Sequence, residues 1–458
     1  MHLRIHHLPA MWFKALGLLL ILGVGLGVGQ YSLRFGHQPL LLLGAPLALP
    51  LCALLLVNAR LLFYLLLVSR CTLDPILDSA RFSSSIGLGA ILNLLIVACA
   101  VVICLQAPKT RFKQCAMLWI GPILVMAFGL TYSPEPLAAV KRMVAFLSYF
   151  AAFTVAFVLV HEGLLRTLLR VVLLSALVPV SVGLWQLGTG NLYSEGRLSS
   201  TFTHPNIYAF YCLLVLMVLA YVHTMSKEDC NPGPAKLEGI LFYTLLPTLV
   251  LSVAMTQTRS AWAALLLMGF IYGLAVSRAT LLWLLVGLLI AACIPAVQDR
   301  VQDLMQGNEV VQYAKLNSFA WRQYIWESGL NWMSPGRYLF GYGIGGFFYH
   351  SVDFFPLSGG MPYGAHNVFV ERFFDGGIVA VLVFAVFFAV QLKWAGKLLS
   401  KVRAGGLAYL GLILTYLTLN ASDNVVDYLA YNWYYWAVAG SLYAQARRLA
   451  SPTPTHEQ

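Results

Sequence analysis

Four side chains able to hold an anion or move a proton stand out in a chain with few charges: Arg197, Arg259, Arg322 and His366. Each lies at or near the edge of an apolar run. A planar guanidinium offers paired donors that match phosphate oxygens, and it keeps its charge where water is scarce. Two or three converging arginines therefore fit a bound dianion such as a diphosphate. A single one also fits snorkelling to a lipid phosphate or capping of a helix carbonyl. His366 opens the segment His366-Asn367-Val368-Phe369-Val370-Glu371-Arg372, directly after a glycine-rich stretch. An imidazole there can take a proton from an attacking hydroxyl near neutral pH; the plainer alternative is a cap on the helix that follows. A second histidine, in Thr203-His204-Pro205-Asn206, precedes a proline suited to a first helical turn, which points to a structural role.

The elements that must position these residues follow from composition. With 60% hydrophobic and 10% charged residues and a mean hydropathy of +0.77, the chain lies far outside globular averages. The apolar runs are continuous, whereas a membrane β-barrel needs short alternating segments. The expected fold class is all-α: a polytopic integral membrane protein with about 12 transmembrane helices. Spans are expected near 15–32, 39–69, 84–106, 115–131, 137–160, 166–187, 206–224, 239–257, 260–278, 279–297, 366–393, 405–421 and 430–446. The run from Leu16 to Val28 has no small-residue cleavage pattern after it, so a retained first helix is expected.

Basic clusters set the sides of the membrane. Lys109, Arg111 and Lys113, then Lys227, then Lys393, Lys397, Lys401 and Arg403, and finally Arg447 and Arg448 belong in the cytoplasm by the positive-inside bias. With 161–165 and Arg278 also cytoplasmic, the parity of crossings is consistent from Lys109 onward. Before Lys109 two readings compete: Arg4 and Lys14 favour a cytoplasmic start, whereas three spans put the start outside. The stretch 39–69, interrupted by Pro46, Pro50 and Arg60, reads as a tight hairpin or as one long tilted helix.

This threading divides the chain into N-terminal transmembrane helices (1–187), a transmembrane core with a short outer segment at 188–205 and the arginine-bearing turn Thr256-Gln257-Thr258-Arg259-Ser260 (188–297), a large outer loop (298–365), and C-terminal transmembrane helices with a cytoplasmic tail (366–458). Arg197, Arg259, Arg322 and His366 all fall on the outer face. The large loop carries helix formers around Gln312–Leu330, the turn Gly341-Tyr342-Gly343-Ile344-Gly345-Gly346 and many aromatics, Trp321, Trp326, Phe347 and Phe354 among them. That content implies a folded surface at the membrane interface.

Several chemistries lack their signatures. The eight cysteines show no CxxC pair and mostly sit in apolar runs, as small core hydrophobes do. There is no Walker A sequence, no HExxH and no outer cluster of carboxylates, Glu195 and Asp353 being the nearest candidates, so neither metal nor cofactor is expected. The net charge of +11 fits cytoplasmic anchors and anionic headgroups, with no call for nucleic acid.

Three stretches carry a resemblance: Gly196-Arg197-Leu198-Ser199-Ser200-Thr201-Phe202-Thr203-His204-Pro205-Asn206; Gln257-Thr258-Arg259-Ser260-Ala261-Trp262; and Trp321-Arg322 through Gly341-Tyr342-Gly343 to His366-Asn367. In order, spacing and common face they resemble the O-antigen ligase and polymerase superfamily of bacterial surface-polysaccharide assembly. The resemblance implies a GT-C-like glycosyltransferase in the bacterial inner membrane with its site facing the periplasm. It implies metal-independent, inverting transfer of a glycan from undecaprenyl diphosphate, with lipid A-core as acceptor in the ligase branch and another lipid-linked repeat in the polymerase branch. The single dominant loop ending in His-Asn favours the ligase. Within it, His366 is the general base, Arg197 and Arg259 hold the diphosphate, Arg322 is a further phosphate contact, and His204, Asn206 and Asn367 are substrate-binding positions. Expected partners are the lipid-linked donor, the lipid A-core acceptor and membrane lipids. A transporter or flippase of an anionic lipid-linked glycan would also use outer arginines, but it would show paired, broken spans in two halves, and none is visible here.

Overall fold

The computed structural model describes residues 44–79, 88–228, 232–293, 295–302 and 316–450. The expected span at 15–32, the retained-helix reading of Leu16–Val28 and the charges of Arg4 and Lys14 lie outside them. Among the described residues every regular element is a helix, with one isolated β-bridge between Tyr193 and Arg197.

In chain order the helices are α1 (Gly44–Thr72), α2 (Asp74–Ser79), α3 (Leu88–Gln106), α4 (Lys109–Leu130), α5 (Pro136–His161), α6 (Leu165–Ser175), α7 (Leu177–Thr189), α8 (Pro205–Glu228), α9 (Pro232–Met255), α10 (Arg259–Ala275), α11 (Arg278–Ala292) and α12 (Pro295–Gln302). Then come α13 (Ser318–Trp332), α14 (Gly346–Phe354), α15 (Val368–Leu399), α16 (Arg403–Asn420) and α17 (Leu429–Ala450). Among the described residues eight segments are long and apolar enough to cross a membrane: Pro50–Thr72, Gly89–Gln106, α4, α5, Leu165–Thr189, Pro205–Met225, Leu237–Met255 and α15. The about 12 expected from hydropathy exceeds these eight: α10 and α11 are apolar but shorter, and α16 and α17 are not among the eight. In α17 the run Asn432-Trp433-Tyr434-Tyr435-Trp436 replaces aliphatic residues, yet it is buried in the middle of the bundle.

The stretch that read as a hairpin or a tilted helix is one helical element interrupted at Asn58 (φ −151°, ψ 77°). The Asn58 side chain accepts from the Leu61 amide at 3.0 Å, an N-cap bond that restarts the helix. The core forms where α17 lies against α5. A Cβ at Gly440 would come within 2.3 Å of the Phe153 carbonyl oxygen, so only glycine permits that approach. Trp119 fills the adjoining space with Phe153, Phe387 and Trp436.

The long outer loop is built onto a break in α15. At Gly377 (φ 64°, ψ −165°) the helix loses its regular hydrogen bonds and leaves backbone groups in need of partners. The loop supplies them: the amides of Tyr342 and Gly343 donate to the carbonyls of Phe374 and Asp375 at 3.0 and 2.8 Å, and the Ile378 amide donates to Tyr338 at 2.8 Å. Close approach explains the glycines. A Cβ at Gly341 would fall 2.4 Å from the Asp375 backbone, and one at Gly343 2.7 Å from Ser133 Cα. Above this seam α13 and α14 share a small core of Ile325, Met333, Phe347, Phe354, Phe355 and Phe374. The aromatics of the loop thus make a folded cap on the bundle.

The opposite end of the bundle gathers basic residues. Arg60 pairs with Glu162 at 3.1 Å, and Arg166 and Arg170 clasp the buried carboxylate of Glu238. The charges of Arg111, Arg447 and Arg448, from two of the clusters above, all reach His161.

Candidate functional site

The Arg197 segment runs beside the turn between α9 and α10. Its Leu198 amide donates to the Met255 carbonyl at 3.0 Å. The Arg197 Nε donates to the Thr256 carbonyl at 2.9 Å, and its Nη2 donates to Asn206 Oδ1 at 2.7 Å and Thr258 Oγ1 at 3.2 Å. These acceptors are a carbonyl, an amide and a hydroxyl. They orient the guanidinium.

Arg197 and His366 meet through a residue that the sequence reading does not single out. Asp423, in the turn between α16 and α17, accepts from Asn206 Nδ2 at 2.7 Å, from the Tyr428 hydroxyl at 2.8 Å, from the Asn424 amide at 2.9 Å and from His366 Nδ1 at 3.2 Å. A chain of hydrogen bonds therefore runs Arg197–Asn206–Asp423–His366, across segments far apart in sequence. Burial pushes the Asp423 carboxyl up, but His366, Asn206 and Tyr428 more than offset this and hold it down at about 2. An ionised carboxylate only accepts, so Nδ1 of His366 carries a hydrogen, and in a neutral ring Nε2 is then the nitrogen with the lone pair.

His366 itself is held in an uncommon backbone conformation, with φ +49°. For a residue other than glycine that costs on the order of 1 kcal/mol or more, and it persists only where neighbours fix it. On one side the Trp326 indole donates to the Ala365 carbonyl at 2.5 Å. On the other, Asn367 caps α15 by accepting from the amides of Phe369 and Val370, and donates to the Ala421 carbonyl at 3.1 Å. Asn367, not His366, is the helix cap. The His366 side chain stays 40% exposed while Asp423 is 2% exposed, so the ring faces open space with its partner behind it. Ser200 and Gln257 also have positive φ. Each lies in one of the two segments that hold Arg197.

Open space here is a cavity of about 970 Å³ lined by Arg197, His204, Asn206, Arg322, His366 and Asp423, and also by Arg70, Asp74, Asn93 and Lys141. Its rim is apolar: Leu94, Leu137 and Val140 line it and are 57%, 56% and 44% exposed, so it meets the outside of the bundle between α3 and α5. A smaller cavity of about 330 Å³ shares Lys141, Asp427 and Leu429 with it and holds Arg142, Glu371 and Arg372.

The remaining expected residues fall as follows. Arg322 is mostly buried, which lowers its proton affinity; Asp423 and Tyr428 act the other way, and Arg259 lowers it further. Arg259 is outside the set lining the cavity; it donates to Ser318 Oγ at 3.3 Å and lies within reach of Arg322. His204 accepts the Asn206 amide on Nδ1 at 3.1 Å, a local turn contact, and burial together with Arg197 lowers its proton affinity. Asp353 pairs with His350 at 3.2 Å within α14. Among the described residues no three His, Cys, Asp or Glu side chains converge as a metal would need.

Asp423 had a signal in the sequence. It sits in a polar turn between two apolar runs, and the same crossing parity that puts Arg197 outside also puts this turn outside. A search for carboxylate clusters passes over a single aspartate whose partners are amides and an imidazole. Asn93 had no such signal, because it is one polar residue in a long apolar run, and Arg70 and Lys141 stand beside other polar residues, Ser69 and Arg142, near helix ends.

No curated protein matches this chain. Residues 244–385, which run from α9 through the large loop into the first half of α15, match the family model described as O-antigen ligase. That segment, which contains Arg259, Arg322 and His366, is the part of the chain that is similar to the O-antigen ligase family.

Proposed function

We propose that this chain is an inverting, metal-independent glycosyltransferase of the bacterial inner membrane. It moves a glycan from undecaprenyl diphosphate to a hydroxyl of the lipid A-core at the periplasmic face. The observation that carries the proposal is the hydrogen-bonded chain Arg197–Asn206–Asp423–His366 on one wall of an amphiphilic cavity. A charged interior with an apolar rim toward lipid suits a substrate that is a diphosphate on one side and a hydrocarbon on the other.

In this reading the acceptor O–H lies against His366 Nε2. The hydroxyl oxygen attacks the anomeric carbon as the proton passes to Nε2, and the bond from that carbon to the phosphate oxygen breaks, leaving its electrons on the diphosphate. Asp423, ionised behind the ring, keeps Nδ1 protonated and stabilises the imidazolium as it forms. Arg197 and Arg322 face the negative charge that grows on the leaving diphosphate, and Arg259 adds to the field from beside the cavity. Attack opposite the leaving group inverts the anomeric centre.

The test is a strain lacking the gene. Loss of all capped lipopolysaccharide with accumulation of lipid-linked polymer supports the ligase reading. A single repeat unit attached to the core makes the chain a polymerase, and unaltered surface glycan overturns both.

A further inference from the structure

Two polar residues that line the large cavity each have an atom that the fold leaves unsatisfied. Nη1 of Arg70 and Oδ1 of Asn93 are buried without a hydrogen-bond partner among the described residues, and the two residues are 6% and 5% exposed. Both residues line the cavity. A buried donor or acceptor left empty carries the full loss of its hydration, so two of them in one cavity suggest that something else fills them.

Charge tells what kind of group that is. Arg70 is paired with Asp74 at 3.1 Å, and Asp74 in turn accepts from the amide and hydroxyl of Thr203. Lys141 and Asp427, which line the same cavity, are opposite in sign. The charge beside Arg70 is therefore balanced. A phosphate would offer lone pairs to Asn93 Oδ1, which is itself an acceptor. A hydroxyl offers a hydrogen to Oδ1, and its ring neighbour offers an oxygen to Arg70.

We propose that Arg70 and Asn93 form a sugar-binding subsite that takes a pair of neighbouring hydroxyls of one pyranose ring, while the diphosphate lies against the Arg197 wall. The proposal rests on the glycosyl-transfer reading above and adds where the sugar is held. The ring belongs either to the donor glycan or to the acceptor core, and both present the same chemistry.

Binding to the full-length protein in lipid nanodiscs separates the cases with three probes: undecaprenyl diphosphate alone, the lipid-linked glycan extracted from the gene-deleted strain, and lipid A-core from that strain. Asn93→Ala should weaken one sugar-bearing probe about tenfold and undecaprenyl diphosphate less than about twofold, the loss expected for one hydrogen bond. A loss on the lipid-linked glycan assigns the donor's ring, and a loss on lipid A-core the acceptor's. Asn93→Asp keeps an acceptor oxygen and should bind within about threefold of wild type. Because Asn93 Oδ1 is unsatisfied in the empty protein, Asn93→Ala should melt at the wild-type temperature or above it. Weakening of undecaprenyl diphosphate as much as the glycan, no change on any probe, loss of binding in Asn93→Asp, or a melting temperature several degrees lower each overturns the subsite. The transfer reading fails separately: a wild type that holds no undecaprenyl diphosphate, or an Arg197→Ala variant that holds it normally, sinks that reading whatever Asn93 does.

Discussion

Replacing Asp423 with asparagine tests the centre of the proposed mechanism, because it keeps the shape and changes only charge and one acceptor. Two carboxylate oxygens now receive the His366 ring, the Asn206 amide, the Tyr428 hydroxyl and the Asn424 backbone amide. An asparagine turns one of those oxygens into an NH2 that must face donors. If it faces His366, the ring has to offer Nδ1 as an acceptor and carry its hydrogen on Nε2, where no proton can be taken. If it faces Asn206, the amide that holds Arg197 loses its anchor. A carboxyl held at about 2 against an ordinary 3.8 corresponds to about 2 kcal/mol favouring the ionised form, so Asp423→Asn should lose roughly that much stability. The catalytic loss is expected to be larger, about a thousandfold or more, as when a base is locked in the wrong tautomer. Transfer of the lipid-linked glycan to lipid A-core by purified protein, scaled to the folded fraction, reads the rate; binding of undecaprenyl diphosphate reads the donor site. A folded Asp423→Asn enzyme working at the wild-type rate would refute the His366–Asp423 pair. The sign of the pH effect is also fixed. The depressed carboxyl contributes stability that is complete above its unfolded value and is lost only as pH falls through about 2, so Asp423 adds no limb to a profile taken in an ordinary assay range.

Three further outcomes follow. His366→Asn suits the positive φ and can still meet Asp423, so it should fold and bind undecaprenyl diphosphate while transfer falls at least about a hundredfold; a competent variant would leave His366 without a chemical role. Arg197→Lys keeps the charge but loses the fork spread between Thr256 and Asn206, so it should cost more transfer than Arg259→Lys, whose residue lies beside the cavity; the reverse order in the same assay would place the diphosphate at Arg259. Transfer by purified protein should survive EDTA, since the charge on the leaving group is met by guanidinium; abolition by chelation with recovery in Mg²⁺ would give that role to an ion.

Hydropathy was enough to read the helices because a membrane span needs about 20 apolar residues in one run, a signal that depends on no tertiary contact. The span expected at 430–446 is the helix α17, which packs Trp433, Tyr434 and Tyr435 against its neighbours. Hydropathy left 39–69 open between a hairpin and a tilted helix, because at Asn58 a single side chain ends one helical run and caps the next. Crossing parity put Arg197 and His366 on one face without any contact being known. What parity cannot supply is pairing: Asp423 joins Asn206 and His366 from 217 and 57 positions away. The first third of the chain, which offered only apolar runs, supplies part of the cavity lining through Arg70, Asp74, Asn93 and Lys141.

The site is held together by connections that share members, and this shapes how its residues should be regarded. Asn206 accepts from Arg197 with its oxygen and donates to Asp423 with its nitrogen. Asp423 in turn fixes which nitrogen of His366 is free. Arg197 and His366, the two groups to which the proposed transfer gives the diphosphate and the acceptor hydroxyl, are therefore both tied to one buried carboxylate. The cap on the bundle serves the same end, because the break at Gly377 docks the loop, Trp326 pins the Ala365 carbonyl, and the strained backbone at His366 follows from both. Strain of that kind survives only in a rigid surround. A glycosyl transfer needs the base, the anomeric carbon and the departing phosphate in line within tenths of an ångström. Arg197 lies in the segment before α8 and His366 in the segment before α15, and the Asn206–Asp423 link joins the two by hydrogen bonds, so that one is kept in register with the other.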